Sequence, residues 1–323
     1  MEAQHALPKV SICIPTYNCE TYLADAIKSA LNQTYTNFEL IVIDNHSTDG
    51  TEQIVRAIAD SRLRYFQNET NIGMVRNWNR CIQLAKSEYI VVLSADDQLL
   101  PSMVQKSVSV LEKNRNVGLV FSSCYHIDKK GEIIKKLQPY KNNEVFDGTA
   151  FLEHHILGNF VYTPTVMVRK SCYEKLGGFD VALRHVFDWE MWLRIEMIYD
   201  VAYISEPLAL YRVHDKSGSS LMTQELLYND HRLVWKKMMS RCYKNVRLKN
   251  LISYKEYTYL KSEYFRGNIR PVSFLSSASR IISRNLWVLV KSRFGLAVGY
   301  CLVKRPLVNL KNLRARSYDS SIA

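Results

Sequence analysis

Carboxylates gather at a few points along this 323-residue chain, each beside partners with which they can do chemistry. Asp96 and Asp97 follow the apolar run Tyr89–Leu93, separated from it only by Ser94 and Ala95. A carboxylate beside a buried strand is costly unless paired, hydrogen-bonded or bound to a cation. A hard divalent ion shared with substrate phosphates satisfies that need; capping a helix that starts near Pro101 is the plainer alternative. Asp44 ends a second apolar run and opens the turn Asn45-His46-Ser47-Thr48-Asp49-Gly50. It can accept hydrogen bonds from a base or ribose, or organise an Asx-turn, the role expected of Asp49. Asp188, in Asp188-Trp189-Glu190, is either a helix N-cap or a general base within reach of an acceptor hydroxyl. Trp189 and Trp192 then serve as apolar walls or as core. His214, with Arg212 before it and Ser217-Gly218-Ser219 after it, can help hold a diphosphate and its metal once a loop closes. Arg76 and Asn77, behind Asn71-Ile72-Gly73, are further candidates, with a surface salt bridge as the alternative for Arg76.

Alternating elements must position these groups. Val10–Ile14, Leu40–Ile43, Leu63–Phe66 and Tyr89–Leu93 read as strands, and Tyr22–Leu31, Thr51–Ala59 and Val75–Ala85 as helices, from their apolar spacing. That alternation predicts a doubly wound α/β sheet. Ligands of such sheets lie beyond the carboxyl ends of the strands. There Pro15-Thr16-Tyr17-Asn18, Asp44-Asn45-His46 and Ser94-Ala95-Asp96-Asp97 line one crevice. Farther on, strands are expected at Gly118–Ser122, Pro164–Val168 and Val201–Ile204. A helix is expected over Phe146–Leu157, a polar excursion over Ile127–Asn143 with a turn at Lys130-Gly131, and mainly basic helices from about 221. Neither a GxGxxG after the first strand nor a GxxxxGK[ST] occurs, which disfavours dinucleotide and P-loop sites.

The net charge is +12, but residues 1–220 sum to −3 and residues 221–323 to +15. A nucleic-acid reading therefore survives only for the C-terminal third. Seven scattered cysteines without a CxxC pair argue against a disulfide scaffold or a zinc site and for a reducing cytosol. The start, MEAQHALPKV, carries neither a basic nor an apolar signal segment.

Seven motifs in order resemble the inverting family 2 glycosyltransferases of the GT-A fold. They are Pro15-Thr16-Tyr17-Asn18, Ile43 through Gly50, Asn71-Ile72-Gly73 with Arg76-Asn77, Ser94-Ala95-Asp96-Asp97, Gly177-Gly178-Phe179-Asp180, Asp188-Trp189-Glu190 and Tyr211-Arg212-Val213-His214. The resemblance spans about residues 9–220. It implies a Rossmann-like mixed sheet flanked by helices, with a catalytic domain over 1–220 and a mainly helical extension over 221–323. It also implies a nucleotide-sugar donor, UDP- or dTDP-linked by preference, in cell-surface polysaccharide or O-antigen synthesis. By that analogy Pro15, Thr16, Tyr17, Asn18, Asp44, Asn71, Gly73, Arg76, Ser94, Ala95, Asp96 and Arg212 bind the donor. Asp96 and His214 hold Mn²⁺ or Mg²⁺, and Asp188 deprotonates the acceptor, with Asp97, Trp189 and Glu190 in support. Two departures stand out. Ser94 replaces the usual first aspartate of the metal motif, and Asn45 replaces an acidic residue of the nucleotide turn.

Residues Leu286–Val303 are nearly apolar but interrupted by Lys291 and Arg293, and more basic residues follow. Such a segment suits an anionic inner-membrane surface. It would place the protein on the cytoplasmic face, near a polyprenyl-diphosphate-linked saccharide acceptor. Packing on the catalytic domain or homo-oligomerisation is the alternative. A nucleic-acid binder using the basic third, or a non-catalytic nucleotide-sugar-binding protein, competes with the enzyme reading but leaves the ordered motifs unexplained.

Overall fold

The computed structural model describes residues 7–265, apart from 216, 218–219, 221 and 243–244, together with 316–317. These fall into two compact units, one of residues 7–149, 160–220 and 316–317, the other of 150–159 and 222–265.

The apolar runs of the first half become the middle of the first unit's sheet. Its strands are β1 (Val10–Thr16), β2 (Phe38–Asp44), β3 (Leu63–Gln67) and β4 (Tyr89–Val92). Every residue of β1, β2 and β4 is buried, as expected of strands covered on both faces. All pair in parallel, in the order β4-β1-β2-β3. They alternate with helices α1 (Leu23–Leu31), α2 (Thr51–Arg56) and α3 (Met74–Leu84). The chain steps outward from β1 to β3, then returns to β4 on the other side of β1. The carboxyl ends of β1 and β4 thus flank the switch point at which such sheets bind ligands.

The second half widens the sheet. Its elements are β5 (Gln98–Leu99), α4 (Met103–Lys113), β6 (Val117–Ile127), β7 (Ile133–Leu137), β8 (Glu144–Phe146), β9 (Met167–Arg169), α6 (Lys170–Leu176), α7 (Phe187–Glu196) and β10 (Asp200–Arg212), while α5 (Gly148–His155) belongs from residue 150 to the second unit. β9 joins β4 to β6 by antiparallel pairing on both sides. β6 and β10 run parallel, with register shifts on either side of Pro207. β7 folds back on the end of β6, and the two-residue β11 (Arg316–Ser317) pairs with β8. The result is a mixed sheet flanked by helices, the architecture expected.

Several local expectations change. β1 continues through Pro15 to Thr16, because parallel pairing with β2 extends to Thr16 opposite Asp44. The excursion after Ile127 contains β7, which the sequence hid because its residues face solvent. Thr163–Thr165 forms a 3₁₀ turn, not the start of a strand, with Pro164 placed where a missing N–H does no harm. The strand expected at Val201–Ile204 extends to Arg212, because β6 supplies partners all the way.

The second unit is built on α8 (Gln224–Arg241) and α9 (Val246–Phe265), the C-terminal helical extension. The Thr223 hydroxyl caps α8 by accepting the Leu226 N–H. Val234, Trp235, Met238, Leu248, Ile252 and Leu260 are buried, and Tyr228 stacks on Tyr259 with ring centroids 5.4 Å apart. No helix of the described residues is long and apolar enough to cross a membrane. Leu286–Val303 lies outside the described residues.

Candidate active site

The turn after β2 is held together by its own side chains. Asp44 is fully buried. Its Oδ1 accepts the Ser47 N–H (2.9 Å) and hydroxyl (2.6 Å), and its Oδ2 accepts Tyr65 Oη (2.8 Å) and Gln67 Nε2 (3.1 Å). Burial, and then the bond to Asp44, hold the Tyr65 phenol above its ordinary pKa. Asn45 is a hub beside it. Its amide donates to Asn71 Oδ1 (2.8 Å) and accepts from Asn68 Nδ2 (2.8 Å) and the Ile72 N–H (3.0 Å). An aspartate here could not donate to Asn71, so the departure at Asn45 has a structural use. Asp49 accepts from the Thr51 N–H and hydroxyl and from the Glu20 N–H. It is the Asx-turn residue anticipated, and although burial opposes the charge, these donors hold its carboxyl below the usual range.

The loop after β1 is tied into the same turn. Asn18 Oδ1 accepts the Thr48 N–H (2.8 Å), and the Asn18 N–H donates to Ser47 Oγ (2.9 Å). Thr16 is buried with its hydroxyl unpaired, while Tyr17 is 49% exposed. Asn71, Gly73 and Arg76, at the start of α3, are exposed as well.

The loop after β4 is held from far away. The Leu93 N–H donates to Cys13 O, which extends β4 alongside β1. Asp96 Oδ2 then lies 3.1 Å from His214 Nε2, and the His214 ring packs on Tyr22 with centroids 5.0 Å apart. Arg212 is buried. Its Nε donates to Asp96 O (2.9 Å) and its Nη1 to Asp128 O (2.9 Å), and its guanidinium lies 4.5 Å from the Tyr22 ring centroid. Asp97 is buried too, and its Oδ1 accepts the Arg212 N–H (2.8 Å). Burial, then the charge of Asp96, push the Asp97 carboxyl well above its ordinary pKa, against the Arg212 N–H and the Ser94 hydroxyl. Ser94 is half-buried and Ala95 buried beneath this loop.

Asp188 stands in the first turn of α7. Its Oδ2 accepts the Thr163 hydroxyl (3.0 Å), and the 3₁₀ turn that carries Thr163 packs against β4, β5, β6 and β10. That contact ties Asp188 to the part of the sheet that carries β4, β5 and β10. Its neighbours work inward. Trp189 is buried, and Glu190 Oε2 accepts Arg194 Nε at 2.9 Å. Arg194 in turn donates to the carbonyls of Leu176, Gly177 and Gly178. A Cβ on Gly178 would meet Asn79 Oδ1 at 2.3 Å, and that amide bonds both N–H and C=O of Phe179. The Gly177-Gly178-Phe179 motif therefore seats α7 and with it Asp188.

The structure thus gathers Thr16, Tyr17, Asp44 and the Asp96–Asp97 loop at one end of the sheet, with Arg212 and His214 closing over Asp96. Sequence reasoning missed Tyr22, Tyr65, Gln67, Asn68, Asp128 and Thr163. Asn68 belongs to an Asn-rich spacing that is visible in the chain; the others carry no local signal. Among the described residues no three His, Cys, Asp or Glu side chains gather as a metal cage. Asp96 and His214 do converge, and a hard cation that also uses a diphosphate and water needs little more from the protein. The donor set fits a cation of that kind.

A mixed sheet with a parallel half, an antiparallel flank and helices on its faces is consistent with the GT-A fold. The pattern of glycosyl transferase family 2 matches residues 11–177, and the chain belongs to that family. An uncharacterized glycosyltransferase of Methanocaldococcus jannaschii is 33% identical over 245 residues, 73% of this chain and 82% of that protein. Two solved structures share the fold. TarS residues 1–349 of S. aureus, in complex with UDP-GlcNAc, align with a TM-score of 0.68 at 18% identity, over 85% of this chain and 80% of that one. The mannosyltransferase PcManGT of Pyrobaculum calidifontis, in complex with GDP-Man and Mn²⁺, aligns with a TM-score of 0.56 at 17% identity, over 88% and 83%.

Proposed function

We propose that this protein is an inverting glycosyltransferase that moves a sugar from a nucleoside-diphosphate donor to a hydroxyl of a saccharide acceptor. The observation that carries the reading is the approach of Asp96 Oδ2 to His214 Nε2, 3.1 Å apart, beyond β4. Thr16 and exposed Tyr17 offer the nucleoside a wall, with Asp44 shaping the turn beneath it and Asn18, Asn71, Gly73 and Arg76 at the rim. Asp96 and His214 would hold Mn²⁺ or Mg²⁺, whose charge offsets that of the donor diphosphate. Arg212 braces the Asp96 backbone and adds positive charge where the leaving group gains negative charge.

Asp188 serves as general base. It takes the proton of the acceptor hydroxyl as that oxygen attacks the anomeric carbon from the face opposite the diphosphate. The anomeric C–O bond breaks, its electron pair leaves on the diphosphate oxygen, and configuration inverts. The Thr163 hydroxyl holds the carboxylate in place. UDP- and dTDP-sugars are the favoured donors, and a lipid-linked saccharide of a cell-surface polysaccharide is the favoured acceptor, at the cytoplasmic face of the membrane.

A nucleotide-sugar panel tests this by thermal shift, with and without Mn²⁺, followed by transfer to lipid-linked and soluble acceptors. Asp188→Asn is expected to keep donor binding and to lower kcat by about 10³-fold, within the range for loss of a general base. An unchanged transfer rate in that variant would overturn the assignment.

A further inference from the structure

The hairpin between β6 and β7 carries a surface that the transfer chemistry does not use. Its turn is firmly built. Asp128 Oδ1 accepts the N–H of Lys130 (2.8 Å) and Glu132 (3.0 Å), and Asp128 N–H donates to Glu132 O (2.9 Å). Gly131 sits at φ +91°, which a side chain would strain. Backbone N–H groups of Glu132, Lys130 and Gly131 hold the Asp128 carboxyl below the usual range.

Beyond that turn, residues 129–136 are exposed without a break, so β7 shows both faces to solvent. Ile133 is 59% and Ile134 61% exposed, the one adjacent pair of large exposed apolar residues among the described residues. The pairing with β6 slips at Ile134, with Ile133 opposite Ile127 and Lys135 opposite His126, so the strand is bulged where its two exposed isoleucines meet its lysines. Lys129, Lys130, Lys135 and Lys136 flank the pair, against the two acids Asp128 and Glu132. This basic patch sits within a segment, residues 1–220, whose charge sums to −3.

We propose that the β6–β7 hairpin docks the protein onto an anionic lipid surface, with Ile133 and Ile134 entering the headgroup boundary and the lysines meeting acidic headgroups. Apolar side chains ringed by long cationic ones suit that boundary, because the lysine stems lie along apolar surface while the ammonium groups stay in water. A nucleic-acid backbone would use the lysines but has no place for two adjacent exposed isoleucines. A second copy paired along the open edge of β7 would set like-charged Lys135 and Lys136 side by side, which is unfavourable. The mount leads to the crevice. Arg212 donates to Asp128 O, and the Val213 N–H donates to Ile127 O at 2.9 Å. A docked hairpin therefore holds the Asp96 loop close to the lipid. The docking itself does not depend on Asp188 or on transfer.

Flotation of the full chain with phosphatidylglycerol-containing vesicles, against phosphatidylcholine alone, tests it. Wild-type protein is expected to float with the anionic vesicles only. Ile133→Asp with Ile134→Asp should weaken vesicle affinity about tenfold or more. Lys135→Gln with Lys136→Gln should weaken it about 25-fold. Both variants alter solvent-facing residues and should keep the wild-type unfolding midpoint. Failure of wild type to float, or unchanged flotation in both variants, overturns the proposal. So does loss in the lysine variant alone, which would mark a purely electrostatic, nucleic-acid-like surface. Self-association in sedimentation without vesicles, abolished by the isoleucine changes, would overturn it in favour of a second copy.

Discussion

Asp44 is the last residue of β2 and Asp96 follows β4, so both stand at the carboxyl ends of buried parallel strands. Their surroundings are opposite. Asp44 is sealed, with Ser47, Tyr65 and Gln67 meeting both its oxygens. The Asp96 side chain is 22% exposed and faces His214. One carboxylate is spent on shaping a turn, whereas the other is left available to a ligand. Position beyond a strand nominates a residue for chemistry, and the number of donors already aimed at it decides whether it is free to act.

Neutralising each carboxylate in turn puts that contrast under most strain. Asp96→Asn should lower kcat by about 10²- to 10³-fold, the scale of losing one electrostatic contact to the leaving group. Its unfolding midpoint should stay close to wild type, and chelation of divalent ions should lower wild-type activity to a similar degree. A variant that kept full metal-dependent transfer would break the comparison from the Asp96 side.

Asp44→Asn is expected to reverse the pattern. An amide has one acceptor oxygen and would turn a donor towards donors, so the buried turn should lose about 3 kcal/mol. Chemical denaturation measures this directly. Loss of activity without loss of stability would mean that Asp44 acts on the ligand itself.

Asp97 sharpens the comparison by its pH dependence. Burial and Asp96 raise its folded-state pKa above the unfolded value, about 3.9 for aspartate. The folded chain therefore binds a proton that the unfolded chain has released, and stability falls as pH rises from about 4 towards the raised pKa. Asp97→Asn keeps an acceptor for the Arg212 N–H and removes that charge. In metal-free protein it should flatten stability against pH and raise it near neutrality. Denaturation series across pH, with chelator present, would show it; a slope equal to wild type would count against a raised Asp97 pKa.

The legible part of the molecule is the part in which burial is continuous. β1, β2 and β4 read as strands because every residue is apolar or inward, and the motifs after them fall at the switch point by topology alone. β7 was hidden because Ile133 through Lys136 alternate nothing, both faces being wet. Most of β10 was hidden because Pro207 interrupts its pattern and only pairing with β6 carries it to Arg212. The sealing of Asp44 was equally invisible, since Tyr65 and Gln67 come from β3 and reach it through the sheet. Thr163 finds Asp188 only because a 3₁₀ turn packs beside β5 and β10, a contact that no local spacing encodes.

The span between Asp96 and His214 has a consequence for how the protein is made. They are 118 residues apart in sequence, whereas Thr48 and Asn18 are 30 apart. Loop closure over the longer interval is the slower event. On the ribosome, the turn after β2 can form long before β10 has been synthesised. A nascent chain therefore carries the finished turn after β2 well before Asp96 meets His214, which arrives only when β10 and the residues that follow it close over the loop after β4.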